Sequence, residues 1–166
     1  TFCNAFEIPV LSLTNVKGYA ADVRSEKSIA KAVAKLTYAF ANANVPKVNV
    51  ITGEAYGSAY VTMNSKALGA DVTYAWPDAS IGMMDANEAA KIMYADDIAK
   101  SADVQSVISE KAAEYAALQS GVESAAARGY VDTIINPEDT RKYVAAAFEM
   151  LYTKREDRPD KKHGTV

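Results

Sequence analysis

The sequence predicts an α/β fold with largely parallel strands, from two observations. Short apolar runs suited to strands recur along the chain, and stretches of helical periodicity stand between them. The length, 166 residues, fits one domain. A hydrophobic fraction of 49% supplies an ordinary globular core.

The elements follow in order. Thr1-Phe2-Cys3-Asn4-Ala5-Phe6 reads as the end of a helix whose start is missing, so a fragment or a processed chain is expected. Ile8 to Thr14, IPVLSLT, is a nearly continuous apolar run, suited to a strand buried on both faces. Asn15 to Arg24 reads as a loop, and Ser25 as the N-cap of a long helix. In that helix Ile29, Ala32, Val33, Leu36, Phe40 and Ala43 form one apolar stripe. Lys27, Lys31 and Lys35 lie four residues apart and read as a solvated face before a phosphate contact.

Pro46 ends the helical region, and Val48 to Thr52 is a second strand. Gly53 reads as its turn, followed by the small residues around Gly57, Ser58 and Ala59 and a short helix. Asp71 to Trp76 is a third strand, closed by Pro77-Asp78, and Ser80 to Met84 is strand-like. Helices are expected at about 86–94 and 104–118, with Asp96-Asp97 at a helix end. Val131 to Ile135 is another short strand. Asn136-Pro137-Glu138-Asp139 then starts a helix running to about Tyr152, with Asn as N-cap and Pro at the first position. The expected organisation is one domain over 1–153 and a charged tail over 154–166, loose or docked on another subunit.

Several chemistries are excluded. A net charge of −3 gives no reason to expect nucleic acid or anionic membrane as the main partner. The single Cys3 cannot form an internal disulfide, which suits a reducing compartment. The only histidine, His163, lies in the tail, so a Ser-His-Asp triad within the chain is not expected. One Cys and one His cannot complete a zinc site, so no metal is expected. Gly53 and Gly57 have no following Lys-Ser or Lys-Thr, which rejects a phosphate-binding loop. No G-x-G-x-x-G occurs. Asp85 reads as the N-cap of the helix at Ala86 before it reads as a catalytic acid.

What remains is main-chain chemistry. Gly57, Ser58 and Ala59 sit where a strand becomes a helix, with free backbone N–H groups and the positive end of the helix dipole. Small residues there let a ligand oxygen come close. Gly18-Tyr19, just past the first strand, is a second possible donor pair. Two converging donors can hold an enolate or ureido oxygen. The same residues also suit a tight strand–helix packing, and the residues alone leave both readings open.

The chain resembles the C-terminal domain of the carboxyltransferase (β) subunit of biotin-dependent acyl-CoA carboxylases and decarboxylases, in the crotonase superfamily. The blocks that carry this are Phe6-x-Ile8-Pro9-Val10, Lys35-Leu36-x-Tyr38-Ala39-Phe40, Val45-Pro46-Lys47-Val48-x-Val50-Ile51-Thr52, Ala55-Tyr56-Gly57-Ser58-Ala59-Tyr60, Ser65-Lys66 and Tyr74-Ala75-Trp76-Pro77. Ala127-Arg128-Gly129-Tyr130-Val131-Asp132 and Arg158-Pro159-x-Lys161-Lys162-His163-Gly164 extend it over essentially the whole chain. The resemblance implies a crotonase-like spiral of short ββα units, with the Val48 and Val72 strands adjacent. It implies that biotin on a carrier protein meets acyl-CoA at a dimer interface, facing an N-terminal carboxyltransferase domain or subunit. Backbone N–H groups of Ser58 and Ala59 would hold the biotin ureido oxygen. The biotin nitrogen would itself take the substrate α-proton, so no protein base is needed. Gly18, Tyr19, Tyr56, Tyr60 and Val61 are the expected substrate-binding residues, with Val61 at the acyl pocket. Tyr60, Val61 and Met63 are expected under a partner.

Further expectations follow from the resemblance: a homo-oligomer from dimer to hexamer, a biotin carboxylase or membrane decarboxylase subunit as partner, and a cytoplasmic location. The chain also departs from the family. The loop D-x-P-G-F-x-P-G is here Asn15-Val16-Lys17-Gly18-Tyr19-Ala20-Ala21-Asp22, with both prolines and the second glycine gone. A more mobile loop is expected. M-G-x-x-G is here Met84-Asp85-Ala86-Asn87-Glu88, and the second glycine of A-Y-G-G is Ser58. Two other readings compete: a crotonase-type hydratase or isomerase using Asp85, and a non-catalytic assembly module. The absence of an acid from Ser58 to Leu68 argues against the first.

Overall fold

A computed structural model describes residues 1–157. The elements are α1 (Phe2–Ala5), β1 (Val10–Val16), α2 (Val23–Glu26), α3 (Ile29–Asn42), β2 (Lys47–Tyr56), α4 (Gly57–Thr62), β3 (Val72–Ala75), β4 (Ser80–Gly82), α5 (Ala86–Met93), α6 (Ala95–Lys100), α7 (Val104–Tyr115), α8 (Val122–Ala127), β5 (Thr133–Ile134) and α9 (Thr140–Met150). The sheet runs β1-β2-β3-β5, with β4 also paired to β2, and all these pairings are parallel.

The ten-residue strand β2 organises everything else. Its first half pairs β3, with Val48 opposite Val72, and its last three residues pair β4. The expected adjacency of the Val48 and Val72 strands therefore holds. Alternation along β2 sends Val48 and Val50 to one face, against Tyr74, Val144 and Ala147. Ile51 and Ala55 go to the other face, against Ala75, Val122 and Ala125. Each such buried valine or isoleucine contributes about 1.5–3 kcal/mol. Helices thus cover both faces, which is what parallel strands require.

Several expectations are corrected. Gly53 is not a turn but lies inside β2. A Cβ there would lie 2.7 Å from Asn15 Oδ1 and displace that side chain, which accepts the Glu54 N–H at 3.0 Å. The Ile8–Thr14 strand is shifted to Val10–Val16 and is not buried on both faces. It is an edge strand with Ser12 and Thr14 inward and Leu11 and Leu13 outward. Ser25 does not cap the long helix. Asp22 caps the short α2, accepting from the Arg24 and Ser25 N–H groups, and α3 starts only after Ser28. Asp96-Asp97 begins α6 instead of ending a helix. The helix expected to Leu118 gives way to a π-turn over Ala116–Ser120. Asn136 makes no side-chain cap, and a 3₁₀ turn over Pro137–Asp139 precedes α9. Lys27, Lys31 and Lys35 are exposed.

Distant blocks of the sequence meet in space. Asp132 accepts the Thr73 N–H at 2.8 Å and pairs with the Lys66 ammonium. Trp76 Nε1 donates to Thr140 Oγ1 at 3.0 Å. Lys154 pairs with Asp71 at 2.8 Å, so the first residue assigned to the tail is fastened to the sheet. The rest of the expected tail from Arg158, with His163 and the last matching block, lies outside the described residues.

Asp132→Ala is expected to destabilise the domain by about 1–2 kcal/mol, because the Thr73 N–H loses its acceptor. Lys66→Met, which breaks a half-exposed ion pair, is expected to cost less than about 1 kcal/mol. Urea unfolding midpoints check both.

Candidate functional site

Strand β2 passes into α4 with no intervening loop, and Gly57 makes that possible. Its φ is +59°, in the left-handed region where a side chain is strained. A Cβ on Gly57 would also lie 3.0 Å from the Met83 carbonyl oxygen. Gly57, Ser58 and Ala59 are the first three residues of α4, so their N–H groups have no intrahelical acceptor. The preceding Tyr56 makes no side-chain cap. Ser58 is exposed, whereas Ala59 is buried. Unpaired donors at a helix start favour an anionic oxygen.

The loop after β1 comes to this helix. Tyr19 Oη lies 3.2 Å from the Ser58 carbonyl oxygen and 2.8 Å from Thr62 Oγ1. Thr62 Oγ1 also donates to the Ala59 carbonyl at 3.0 Å. Of the expected residues, Gly57, Ser58, Ala59 and Tyr19 are thus together, with Gly18 beside them in the chain. Sequence reasoning missed Thr62. Its signal was a threonine one helical turn after Ser58, on the side that Tyr19 reaches.

The other expected residues divide. Val61 is exposed. Tyr60 faces inward and packs with Val122, Ala125 and Val131, so it offers no surface to a partner, and Met63 is half-buried. Burial pushes the Tyr60 hydroxyl up to about 12, and that hydroxyl has no hydrogen-bond partner among the described residues. Tyr56 is buried, and its hydroxyl is raised by burial and partly offset by a bond to Ser80. Asp85 accepts the Asn87 N–H at 2.9 Å and caps α5, as the residue-level reading expected.

The profile of one family, the carboxyl transferase domain, matches residues 1–166. The chain belongs to the carboxyl transferase domain family. Carboxyl transferase relatives include a propionyl-CoA carboxylase beta chain of Saccharopolyspora erythraea, 46% identical over 99% of this chain and 31% of that protein. Another is the methylmalonyl-CoA carboxyltransferase 12S subunit of Propionibacterium freudenreichii subsp. shermanii, 43% identical over 98% of this chain and 31% of the relative. The chain spans about a third of the length of the curated relatives it matches. Among solved structures, the transcarboxylase 12S hexamer with methylmalonyl-coenzyme A and methylmalonic acid bound superposes with a TM-score of 0.93 at 43% identity, over 98% of this chain and 32% of that one. The beta subunit of geranyl-CoA carboxylase from P. aeruginosa gives 0.81 at 25% identity, over 99% of this chain and 32% of that one. These neighbours carry the carboxyltransferase form of the crotonase fold, as the resemblance implied.

Two outcomes are expected from this geometry. Gly57→Ala should cost about 1–3 kcal/mol, measured by thermal unfolding, since strain and contact with Met83 add. Tyr60→Phe should be neutral or stabilising by about 1 kcal/mol, because it removes a buried hydroxyl without a partner. The native hydroxyl ionises at about 12, above the ordinary value near 10. Its contribution is therefore complete below about pH 10 and is lost as the pH rises towards 12. Denaturant titrations at pH 9 and 11 should show a steeper alkaline loss for the native protein than for Tyr60→Phe.

Proposed function

We propose that this chain is the part of a biotin-dependent carboxyltransferase that holds the ureido oxygen while a carboxyl group moves between carrier-bound biotin and an acyl-CoA. The observation that carries this is the set of N–H groups at Gly57–Ala59 that have no intrahelical acceptor and no side-chain cap, in a chain matched throughout by the carboxyl transferase family. The Gly57 turn carries β2 directly into α4 and so sets the Ser58 and Ala59 N–H groups at the helix start, where such an oxygen can be held. Bound biotin supplies the carboxyl-carrying nitrogen and, once free, the base. The Ser58 and Ala59 N–H groups supply fixed positive potential at the oxygen, available without reorganisation. Val61, exposed on the same helix, contributes to the acyl pocket. Tyr19 and Gly18 border the site from the β1 side.

A hydratase or isomerase reading is less well supported. Helix α4 carries no acid, and the Asp85 carboxylate is engaged by both the N–H and the side-chain amide of Asn87. A purely structural assembly role accounts for the Gly57 turn, which carries β2 directly into α4, but gives no use to the N–H groups that follow it.

The functional unit on this reading includes an N-terminal carboxyltransferase domain or subunit, a biotin carrier protein and a biotin carboxylase or membrane decarboxylase subunit. Assembly from dimer to hexamer is supported by the exposed Leu11, Leu13, Val61 and Met83 and by the hexamer of the similar transcarboxylase 12S. A cytoplasmic location suits the unpaired Cys3.

The test is carboxyl transfer between free biotin and a panel of acyl-CoAs by the complete enzyme. Ser58→Gly should retain most turnover, because the backbone and not the hydroxyl is used. Ala59→Pro deletes one N–H and should lose about 3 kcal/mol, roughly a hundredfold, with circular dichroism to verify folding. Ser58→Gly that is folded and inactive would refute the backbone reading. Light scattering of the complete protein at micromolar concentration should report a dimer or larger.

A further inference from the structure

We infer that Tyr19 is the positioning residue of this site: its hydroxyl clamps the Gly18 loop to both ends of the short helix α4, through the Ser58 carbonyl and Thr62 Oγ1. The inference rests on the backbone-donor reading above and extends it to a side chain whose hydroxyl is bonded to α4.

The loop between β1 and Asp22 has little else to hold it. Space is open around Gly18, where a Cβ would meet nothing within 4 Å. Among the described residues, the other side-chain tie recorded from Lys17–Ala21 to the rest of the fold is the ion pair Lys17–Glu54 at 3.2 Å. That pair is mostly solvated, with Lys17 75% exposed, so it fixes little. The loop also lacks the prolines that would stiffen it. The two contacts of the Tyr19 hydroxyl therefore set where this loop sits against α4.

The contacts fall on the peptides that matter. The Ser58 carbonyl belongs to the same peptide group as the Ala59 N–H. A hydroxyl donating to that carbonyl polarises the peptide and strengthens its N–H as a donor. Two hydroxyl protons serve this cluster. Tyr19 can donate to the Ser58 carbonyl while Thr62 donates either to Tyr19 or to the Ala59 carbonyl, or Tyr19 donates to Thr62 while Thr62 donates to the Ala59 carbonyl. In each arrangement a carbonyl of α4 accepts a proton and the loop stays tied to the helix. The tyrosine ring alone, as in phenylalanine, can pack there but cannot make this connection.

The complete carboxyltransferase is the material for the test. Tyr19→Phe keeps the ring and removes the hydroxyl. It should lower kcat for transfer between free biotin and acyl-CoA roughly fivefold to tenfold, with KM for acyl-CoA within about twofold. Amide hydrogen exchange in peptides covering 17–21 and 57–62 should quicken by a similar factor. Thr62→Val should reproduce both effects, Thr62→Ser should restore both, and the double variant Tyr19→Phe, Thr62→Val should be no worse than either single one. Unchanged exchange in Tyr19→Phe overturns the clamp, and faster exchange with unchanged kcat overturns its role in transfer. If folded Ala59→Pro keeps its turnover, the backbone-donor reading falls and this one with it. If Ala59→Pro is inactive and Tyr19→Phe is not, the clamp alone is wrong.

Discussion

A single left-handed residue is the hinge of this structure. β2 ends buried in the sheet, and α4 must begin at that same point for its first N–H groups to remain open. Any residue with a Cβ at Gly57 would be strained in φ and pressed on the Met83 carbonyl. The sheet, the start of α4 and the packing of Tyr60 below it all depend on that turn taking one residue and no more.

Around this point the fold divides labour between its two faces. The Val48 and Val50 face, packed on α9, is apolar and supplies stability. The opposite face carries Asn49 and Thr14 as well as Ile51, and the buried Thr14 hydroxyl donates to Asn49 Oδ1 at 2.7 Å. Nearby, Asn64 stands in a left-handed conformation and donates to the Val48 carbonyl at 3.3 Å. This polar pinning fixes where α4 leaves the sheet, which an apolar contact, being non-directional, does less well.

The central strands were legible because parallel strands buried on both sides are runs of apolar residues, and Val48–Thr52 is such a run. So was the passage from strand to helix, since Gly57-Ser58-Ala59 is small throughout. Gly53 was misread because glycine usually marks a turn, and only the Asn15 side chain lying against β2 explains its place within a strand. Ser25 was misread because Asp22, three residues earlier, makes the stronger cap. The inward aspect of Tyr60 and the link from Tyr19 to Thr62 were hidden for a common reason. Both depend on how far apart two elements sit, and periodicity within one element does not encode that distance.

The pairing of Asp132 with Thr73 spans 59 residues of chain. A ribosome completes β3 long before it delivers the segment that covers the far edge of that strand. During that interval Tyr74 and Ala75 present an unsatisfied, apolar parallel edge. At the elongation rates of cells, about 5–20 residues per second, the gap lasts several seconds. The order of elements along the chain thus makes the nascent polypeptide vulnerable in the interval when its central sheet is half built, and a translation pause between α5 and α8 would prolong that exposure.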